Sequence, residues 1–345
     1  MTAFEMSAAS PRRSFTGSAT IAIVGAVAAA TLARFNADSF YYGDLLTFFL
    51  PTLFEVSLAA TLVALVGRHR LLAAIAVVLT VLNGLPLFMP IDRAAASAGG
   101  RELRVATSNV LGGRSDYDDL IAWSTKSGID VLGQQEVSGY VLRHFDALRN
   151  HFPQTPSAEL LGRYPEVMAW SGWRILKAEH IKNVSVIPGD GWGGNPLRLE
   201  LAPPDTTDAA SIPASKPMVV VYVLHPTTPR SFDQWEGRNL YLNVVAKSVA
   251  AEAPGTPVVV LGDFNTPTWS PFFQSFLKKS GLVDAAGTGW PSTTRFSRRW
   301  FAKNFYFGSP VDHILVSRNI EVKHFEVGPD IGSDHLPVLA DLRLP

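Results

Sequence analysis

The stretch "VVVLGDFNTPTWSPFF", Val258 to Phe273, decides the fold of most of this 345-residue chain. Its β-branched apolar run predicts a buried strand that ends in Asp263 and Asn265, before prolines and aromatic residues follow. Because these two residues are two positions apart, their side chains point to the same side of an extended segment. A carboxylate beside an amide supplies an oxygen ligand for a hard divalent cation and an uncharged donor for a phosphate oxygen.

Polar residues recur where other predicted strands begin or end. Short apolar runs bounded by Gly or Pro predict strands throughout residues 102–345, and stretches of helical spacing lie between them. The polar residues at their ends are Asn109, Glu136, His225, Asp263, Asn265, Asp312, Asp334 and His335. Burying such a group without a partner is costly, so we expect these residues to line one shared cleft. The pattern predicts a layered α/β domain with buried sheets.

Composition excludes several classes of protein. The chain has no cysteine, which excludes a disulfide framework and thiolate metal ligands. Residues 102–345 carry 23 Lys and Arg against 25 Asp and Glu, a net charge of −2. A strongly basic field for non-specific nucleic-acid binding is therefore missing. The mean hydropathy of +0.14 is high for a soluble enzyme, and the apolar excess lies in the first ninety residues.

Three apolar stretches in this region, at about residues 17–33, 45–67 and 71–90, predict transmembrane helices. With a rise of 1.5 Å per residue, each is long enough for a hydrocarbon layer of about 30 Å. The predicted organisation is a membrane region over 1–92, a linker over 93–101 and a catalytic domain over 102–345. The alternative for the first stretch is a cleaved signal peptide, since two arginines precede it and small residues end it.

The arginines in the short loops predict the orientation of this region. Arg12 and Arg13 precede the first span, and Arg68 and Arg70 lie between the second and third. Because cytoplasmic loops are rich in Lys and Arg, the N-terminus and the second loop are predicted to be cytoplasmic. Three spans then place the catalytic domain on the non-cytoplasmic side. The sequence therefore predicts an integral membrane protein of the bacterial inner- or plasma-membrane type.

Other polar residues are interpreted as structural. Glu55, in the second span, is interpreted as neutral or paired with Asn83 of the third. His313 follows Asp312 and so faces the opposite side of its strand. Arg238 fits a solvated helix face. Surface positions are predicted for His144, His151, His180 and His324.

Taken together, "GDFN" followed by "SDHLPV", with Asn109 and "QQE" upstream, resembles the endonuclease/exonuclease/phosphatase superfamily, which has the deoxyribonuclease I-like fold. The resemblance covers roughly residues 102–345. It implies an α/β (α+β) fold in which two packed, mostly antiparallel β-sheets are flanked by helices, forming a four-layer sandwich. In this chain the sandwich would follow the three predicted transmembrane helices.

The resemblance also implies a role for each residue. Glu136 would bind the metal, which is Mg²⁺ with Mn²⁺ as the alternative, and Asp334 would be a second acidic residue near it. Asp312 would hold the imidazole of His335. The catalytic residues would be His225, Asp263, Asn265, Asp312 and His335. The residues that bind the substrate phosphate would be Asn109, Asn265 and His225.

Two features depart from the family's deoxyribonucleases. Those enzymes pair the first histidine with a second glutamate, for which Glu200 is the nearby candidate. The stretch "TRFSRRWFAKNFYFG", Thr294 to Gly308, is basic and aromatic, and we expect it near the cleft because it precedes Asp312. It is interpreted as a phosphate-binding segment, as a segment that enters lipid headgroups, or as a loop packed by its own aromatic residues.

These observations predict a membrane-anchored, divalent-metal-dependent phosphoesterase that hydrolyses phosphodiester bonds, as a nuclease or as a lipid-headgroup phosphodiesterase. The alternatives are a phosphomonoesterase of the same fold and a catalytically inactive membrane-bound sensor or scaffold. The expected partners are the lipid bilayer and a phosphodiester substrate, either nucleic acid or phospholipid. The sequence does not indicate whether the protein has protein partners.

Overall fold

The computed structural model divides the chain into two units, Met1–Met89 and Pro90–Pro345. It describes residues 11–88, 100–113, 117–137, 144–162, 165–182, 184, 193–204, 217–287, 293–296 and 308–345, with the backbone alone at 11–16, 113 and 145. The linker predicted for residues 93–101 lies outside the described residues, apart from Gly100 and Arg101.

The first unit is helical. Its helices are α1 (Pro11–Arg34), α2 (Tyr41–Thr47), α3 (Leu50–Val66) and α4 (Arg70–Gly84). Two stretches of the described chain, Gly17–Arg34 and Arg70–Leu87, are long and apolar enough to cross a membrane. The predicted second span is broken, because α2 and α3 meet at 78°, and a third span exists only if this bent pair counts as one. Pro51 lies in the first turn of α3, where its missing N–H costs no helical hydrogen bond.

Asn83 of α4 joins three helices of this unit through polar contacts. Its Nδ2 donates to Thr31 Oγ1 of α1 (2.9 Å) and to Ser57 Oγ of α3 (3.2 Å). The predicted pairing of Asn83 with Glu55 is therefore wrong. Glu55 lies two residues before Ser57, a rotation of about 200° around the helix axis, and it is exposed on the other side of α3.

The second unit contains strands β1 to β13 and helices α5 to α9. The strands are β1 (Glu102–Asn109), β2 (Val131–Gln135), β3 (Val167–Ser171), β4 (Arg174–His180), β5 (Gly194–Ala202), β6 (Val219–His225), β7 (Val258–Asp263), β8 (Val283–Asp284), β9 (Arg295–Phe296), β10 (Gly308–Ser309), β11 (Asp312–Val316), β12 (Glu321–Val327) and β13 (Val338–Arg343). The helices are α5 (Tyr117–Lys126), α6 (Phe145–His151), α7 (Ala158–Leu161), α8 (Phe232–Ala250) and α9 (Pro271–Ser280).

Eleven of these thirteen strands form two large sheets. The first sheet has the order β12-β13-β1-β2-β3, the second has the order β4-β5-β6-β7-β11-β8, and β9 and β10 form a separate ribbon. Within the two large sheets, β1 pairs with β2 and β6 with β7 in parallel, and the remaining neighbours are antiparallel. The predicted fold class, with two mostly antiparallel sheets, is therefore confirmed.

Apolar side chains fill three layers around these sheets. One core lies between the sheets and contains Val105 of β1 and Val221 of β6. A second core joins α8 and α9 to the outer face of the second sheet, and a third joins α5 and α6 to the outer face of the first. The result is the predicted four-layer order of helices, sheet, sheet and helices. A strand buried on both faces cannot alternate apolar and polar residues, which explains the continuous apolar run of β7.

The sheets approach each other closely at Gly133 of β2. A Cβ atom at this position would collide with the side chains of Leu261 of β7 and Val223 of β6. Both of these residues are fully buried and have little room to move. Glycine therefore lets β2 lie directly against β6 and β7 in the facing sheet, which brings the ends of these three strands close together.

Candidate active site

The functional side chains collect at one edge of the sandwich because of strand direction. The parallel strands β1 and β2 end there with Asn109 and with Glu136, which follows Gln135. The parallel strands β6 and β7 of the facing sheet end there with His225 and Asp263. The antiparallel strand β11 begins there, with Asp312 in register with Asp263. One edge therefore receives polar residues from both sheets.

Asp263 is the centre of this cluster and is almost completely buried. Its Oδ1 accepts a hydrogen bond from the backbone N–H of Asn265 (2.8 Å). Its Oδ2 accepts from Asn109 Nδ2 (3.0 Å) and from Asn265 Nδ2 (3.3 Å). The Nε2 atoms of His335 and His225 lie 3.6 and 3.8 Å from the same oxygen. Burial raises the pKa of this carboxyl group, and the neighbouring His335 acts in the opposite direction.

His335 and Asp312 form a buried pair. The distance between His335 Nδ1 and Asp312 Oδ2 is 2.9 Å. Burial alone would lower the pKa of His335, but the charges of Asp312 and Asp263 outweigh it and raise the pKa to about 9. The loop is fixed by Ser333, whose hydroxyl accepts from the His335 backbone N–H (3.1 Å) and donates to the carbonyl of Asn109 (2.8 Å). The imidazole therefore presents Nε2 to Asp263.

His225 and Glu136 lie on the other side of Asp263. Glu136 Oε1 accepts from Asn109 Nδ2 (3.0 Å) and lies 3.8 Å from His225 Nε2. Burial lowers the pKa of His225 to about 4, against the opposing charge of Glu136. The two histidines therefore differ in charge near neutral pH, with His335 protonated and His225 neutral.

Two clusters of described residues could hold a metal ion. Glu136, His225 and Asp263 form one, and Asp263, Asp312 and His335 form the other; within each cluster the ligand atoms lie within 4.8 Å of one another. Glu136 Oε2 is buried and has no hydrogen-bond partner among the described residues. An unpartnered carboxylate oxygen beside a second carboxylate is what a divalent cation requires, so the first cluster fits a metal.

Asp334 belongs to neither cluster of described ligands. Its Oδ1 is buried without a hydrogen-bond partner in the described part of the chain, and its carbonyl accepts from the N–H of Phe296 (2.8 Å). Its role as a second metal ligand stays a prediction.

Comparison with known proteins agrees with this geometry. Residues 106–335 match the endonuclease/exonuclease/phosphatase family. The chain belongs to this family. No significant sequence match is found among curated proteins.

Several solved structures of the family share the fold. A family protein from Bacteroides thetaiotaomicron has a TM-score of 0.53 at 17% identity and covers 72% of this chain and 99% of its own. A mannosyl-6-phosphatase from the same organism has a TM-score of 0.51 at 17% identity, with coverage of 70% and 99%. Sphingomyelinase C from Streptomyces griseocarneus has a TM-score of 0.52 at 16% identity, also with coverage of 70% and 99%. At these identities the likeness establishes the fold alone.

Arg238 was expected on a solvated helix face, and this interpretation is wrong. The side chain is fully buried, and its Nη1 donates to the carbonyl of Asn265 (3.1 Å). A signal for this was present in the sequence, since Trp235, Arg238, Leu242 and Val245 form one helical stripe that faces the sheet. Arg238 therefore supports the loop that carries Asn265.

Glu166, at the entry to β3, is a residue of the site that the sequence did not indicate. Burial and the charge of Glu136 raise the pKa of Glu166 to about 7. A Cβ atom on Gly194 would touch Glu166, and Gly194 is the register partner of His225. Glu200, the candidate from the sequence, instead forms an ion pair with Arg198 (2.7 Å). It lies opposite Val220, near the start of β6, whereas His225 is at the end of that strand.

The remaining histidines lie outside the cluster. His313 contacts the Thr266 carbonyl through Nε2 (3.0 Å) and packs on Phe273, on the side of β11 that its alternation predicts. The surface prediction holds for His324, which is exposed. The other three histidines are half-buried: His144, His151 and His180.

Backbone strain is concentrated around the cluster. Leu111, Glu136 and Asn265 have φ angles of 49°, 55° and 48°, and they are the non-glycine residues with positive φ in the described part of the second unit. Each such conformation costs roughly 1–3 kcal/mol and persists only where the surroundings enforce it. The strain turns Glu136 and Asn265 out of their strand directions and towards Asp263.

The raised pKa of His335 predicts a pH dependence of stability in metal-free buffer with chelator. The folded-state pKa of about 9 exceeds the unfolded value of about 6.5. The contribution of His335 to the free energy of unfolding is therefore complete below pH 6.5 and is lost as pH rises through about 9. In Asp312→Asn the free energy of unfolding should fall less between pH 7 and 9.5 than in the wild type, by a difference on the order of 2 kcal/mol. Urea unfolding followed by tryptophan fluorescence measures it, since all eight tryptophans lie beyond residue 100.

Asp146→Asn is the matched control, because Asp146 is exposed on α6. It should show the same pH dependence as the wild type. Equal losses in the wild type and in Asp312→Asn would mean that Asp312 does not hold His335 in its protonated form.

Proposed function

We propose that this chain is a membrane-anchored, divalent-metal-dependent phosphoesterase that hydrolyses phosphodiester bonds. The observation that carries the proposal is the contact of the His335–Asp312 pair, at 2.9 Å, with the buried Asp263, whose Oδ2 lies 3.6 Å from His335 Nε2. Phosphoryl transfer needs a proton donor, a group that orients the nucleophile and stabilisation of negative charge. Membership in a family of phosphate-ester hydrolases supports the same activity.

The opposite charges of the two histidines divide the proton transfers between them. His335, protonated near neutral pH, donates a proton or a hydrogen bond from Nε2 to an oxygen of the reacting phosphate. Asp263 orients the attacking water and accepts its proton, a role that its raised pKa favours. His225, neutral and beside the same carboxylate, binds the phosphate as an uncharged group.

Mg²⁺ or Mn²⁺ would be held by Glu136, with Asp263 and His225 close beside it. Glu136 contributes the unpartnered Oε2, and Mg²⁺ prefers carboxylate oxygen to imidazole nitrogen. When bound, such an ion polarises a phosphoryl oxygen and offsets negative charge in the transition state. Asn109 fixes the carboxylates, since its one amide group donates to both Glu136 and Asp263.

Two diester substrates remain as candidates, namely nucleic acid and a phospholipid headgroup. The net charge of −2 over residues 102–345 disfavours tight binding of duplex nucleic acid, whose affinity depends on phosphate contacts. The apolar helices of the first unit would hold the enzyme at a bilayer and so bring lipid within reach. A phosphomonoester substrate is the alternative that the assay must separate from both.

We further propose that the first unit anchors the chain in a bacterial inner or plasma membrane, with the catalytic domain on the non-cytoplasmic side. The support is the set of two candidate spans, or three if the bent pair counts as one. The arginines at positions 12, 13, 68 and 70 favour a cytoplasmic N-terminus and a cytoplasmic loop before α4.

Hydrolysis by the full-length protein in detergent tests the activity. With Mg²⁺ it should cleave bis(p-nitrophenyl) phosphate faster than p-nitrophenyl phosphate, and chelation should stop the reaction. His335→Ala should lower the rate by roughly 10²–10⁴-fold with little change in the Mg²⁺ concentration for half-activation, since the imidazole acts on the proton. Single-stranded and plasmid DNA and vesicles of phosphatidylcholine or sphingomyelin then separate the substrate classes.

His324→Ala is the control, because His324 is exposed outside the cluster, and it should retain full activity. Faster cleavage of the monoester than of the diester would show that the enzyme is a phosphomonoesterase and not a phosphodiesterase. The absence of metal-dependent hydrolysis of every substrate would support the inactive sensor or scaffold instead.

Reporter fusions test the topology. Alkaline phosphatase fused after Glu102 should be active, because this enzyme folds on the non-cytoplasmic side, and a cytoplasmic reporter at the same site should be silent. The reverse pattern would place the catalytic domain in the cytoplasm and would mean that the bent pair α2–α3 does not cross the membrane.

A further inference from the structure

Arg295 lies in the cluster without a catalytic role assigned to it. Its backbone forms a bridge opposite His335, and the residues on either side are fixed by hydrogen bonds from Leu336 N–H to the Thr294 carbonyl (2.7 Å) and from Phe296 N–H to the Asp334 carbonyl (2.8 Å). Directly opposed residues of an antiparallel pair project to the same face. The side chain of Arg295 therefore shares a face with the imidazole of His335.

The guanidinium of Arg295 contacts the cluster at Asn265. Its Nη1 donates to Asn265 Oδ1 (3.2 Å). Among the described residues the side chain forms no ion pair within 4.0 Å, although it is near enough for its positive charge to lower the pKa values of Asp263 and His225. The side chain is half-buried, and a guanidinium carries several further N–H donors in a planar fork. Within the described part of the chain, most of its hydrogen-bonding capacity thus remains available.

The amide of Asn265 is by contrast fully engaged. Its Nδ2 donates to the Pro226 carbonyl (3.0 Å) and to Asp263 Oδ2 (3.3 Å), while its Oδ1 accepts from Arg295. Turning the amide over would place an oxygen against two acceptors and an NH₂ against the guanidinium. The network therefore fixes this orientation, in which Asn265 has no N–H left to donate to a phosphate.

We propose that Arg295 binds a non-bridging oxygen of the substrate phosphate and that Asn265 holds the guanidinium in place for it. The inference rests on the phosphoesterase activity proposed above and names one more residue that touches the substrate. Charge-assisted hydrogen bonds from a planar guanidinium to phosphate are short and strong. Arg295 supplies the donors that the amide of Asn265 does not have free, and it brings a fixed positive charge to a site otherwise dominated by carboxylates.

Binding of inorganic phosphate to the full-length protein, measured by titration calorimetry with Mg²⁺ present, tests this role. Arg295→Gln keeps an N–H for Asn265 but loses the charge, and it should weaken phosphate binding by about 10- to 100-fold. Arg295→Lys keeps the charge without the fork and should fall between Arg295→Gln and the wild type. For bis(p-nitrophenyl) phosphate, KM should rise most in Arg295→Gln and less in Arg295→Lys. The Mg²⁺ concentration for half-activation should not change.

Arg174→Ala is the matched control, since Arg174 is exposed on the edge strand β4, and it should bind phosphate like the wild type. Equal phosphate affinity in Arg295→Gln and Arg174→Ala, or no phosphate binding by the wild type, would overturn the proposal. Lost activity with unchanged phosphate affinity would also overturn it and would leave Arg295 as a support for Asn265. If the wild type binds phosphate through Arg295 yet hydrolyses no phosphoester, the proposed function fails and the assignment of Arg295 stands.

Discussion

The buried carboxylate of Asp263 is the constraint on which the rest of the catalytic unit depends. A charge removed from water is very unfavourable unless polar groups compensate it. Here the compensation comes from Asn109 of the first sheet and from Asn265 and two histidines around the second. These groups reach one carboxylate only if both sheets end at the same edge. The tight approach of the sheets at Gly133 provides this alignment.

The different pKa values of the two histidines follow from the different carboxylates that surround them. His335 is bonded to Asp312 and faces Asp263, so two negative charges outweigh burial and keep its pKa high. His225 is equally buried but has a weaker negative influence, chiefly from Glu136, so burial keeps its pKa low. The strained backbone at Glu136 and Asn265 indicates that some stability is given up for this arrangement, as is common at functional sites.

The sequence predicted the parts of the site that strand geometry controls. The spacing of Asp263 and Asn265, and polar residues at the ends of apolar runs, were sufficient to infer one cleft in a layered α/β domain, and the resemblance to the family implied the two sheets. Contacts between distant segments were not predictable: Glu166 belongs to the site through Gly194, and the positive φ of Glu136 depends on its surroundings. Arg238 was misinterpreted because its charge was weighed above its place in an apolar stripe. The predicted second span was read as continuous although α3 begins at its own proline-containing turn.

The most direct measurement is a double-mutant cycle between Asn109 and Asp263, which belong to different sheets and meet at 3.0 Å. The free energy of unfolding of the wild type, Asn109→Ala, Asp263→Ala and the double variant is obtained in metal-free buffer from tryptophan fluorescence. If Asp263 organises both sheets, the two losses should be non-additive, with a coupling energy of about 1–3 kcal/mol. Losses that add to within about 0.5 kcal/mol would show that the two residues act independently and would contradict the account.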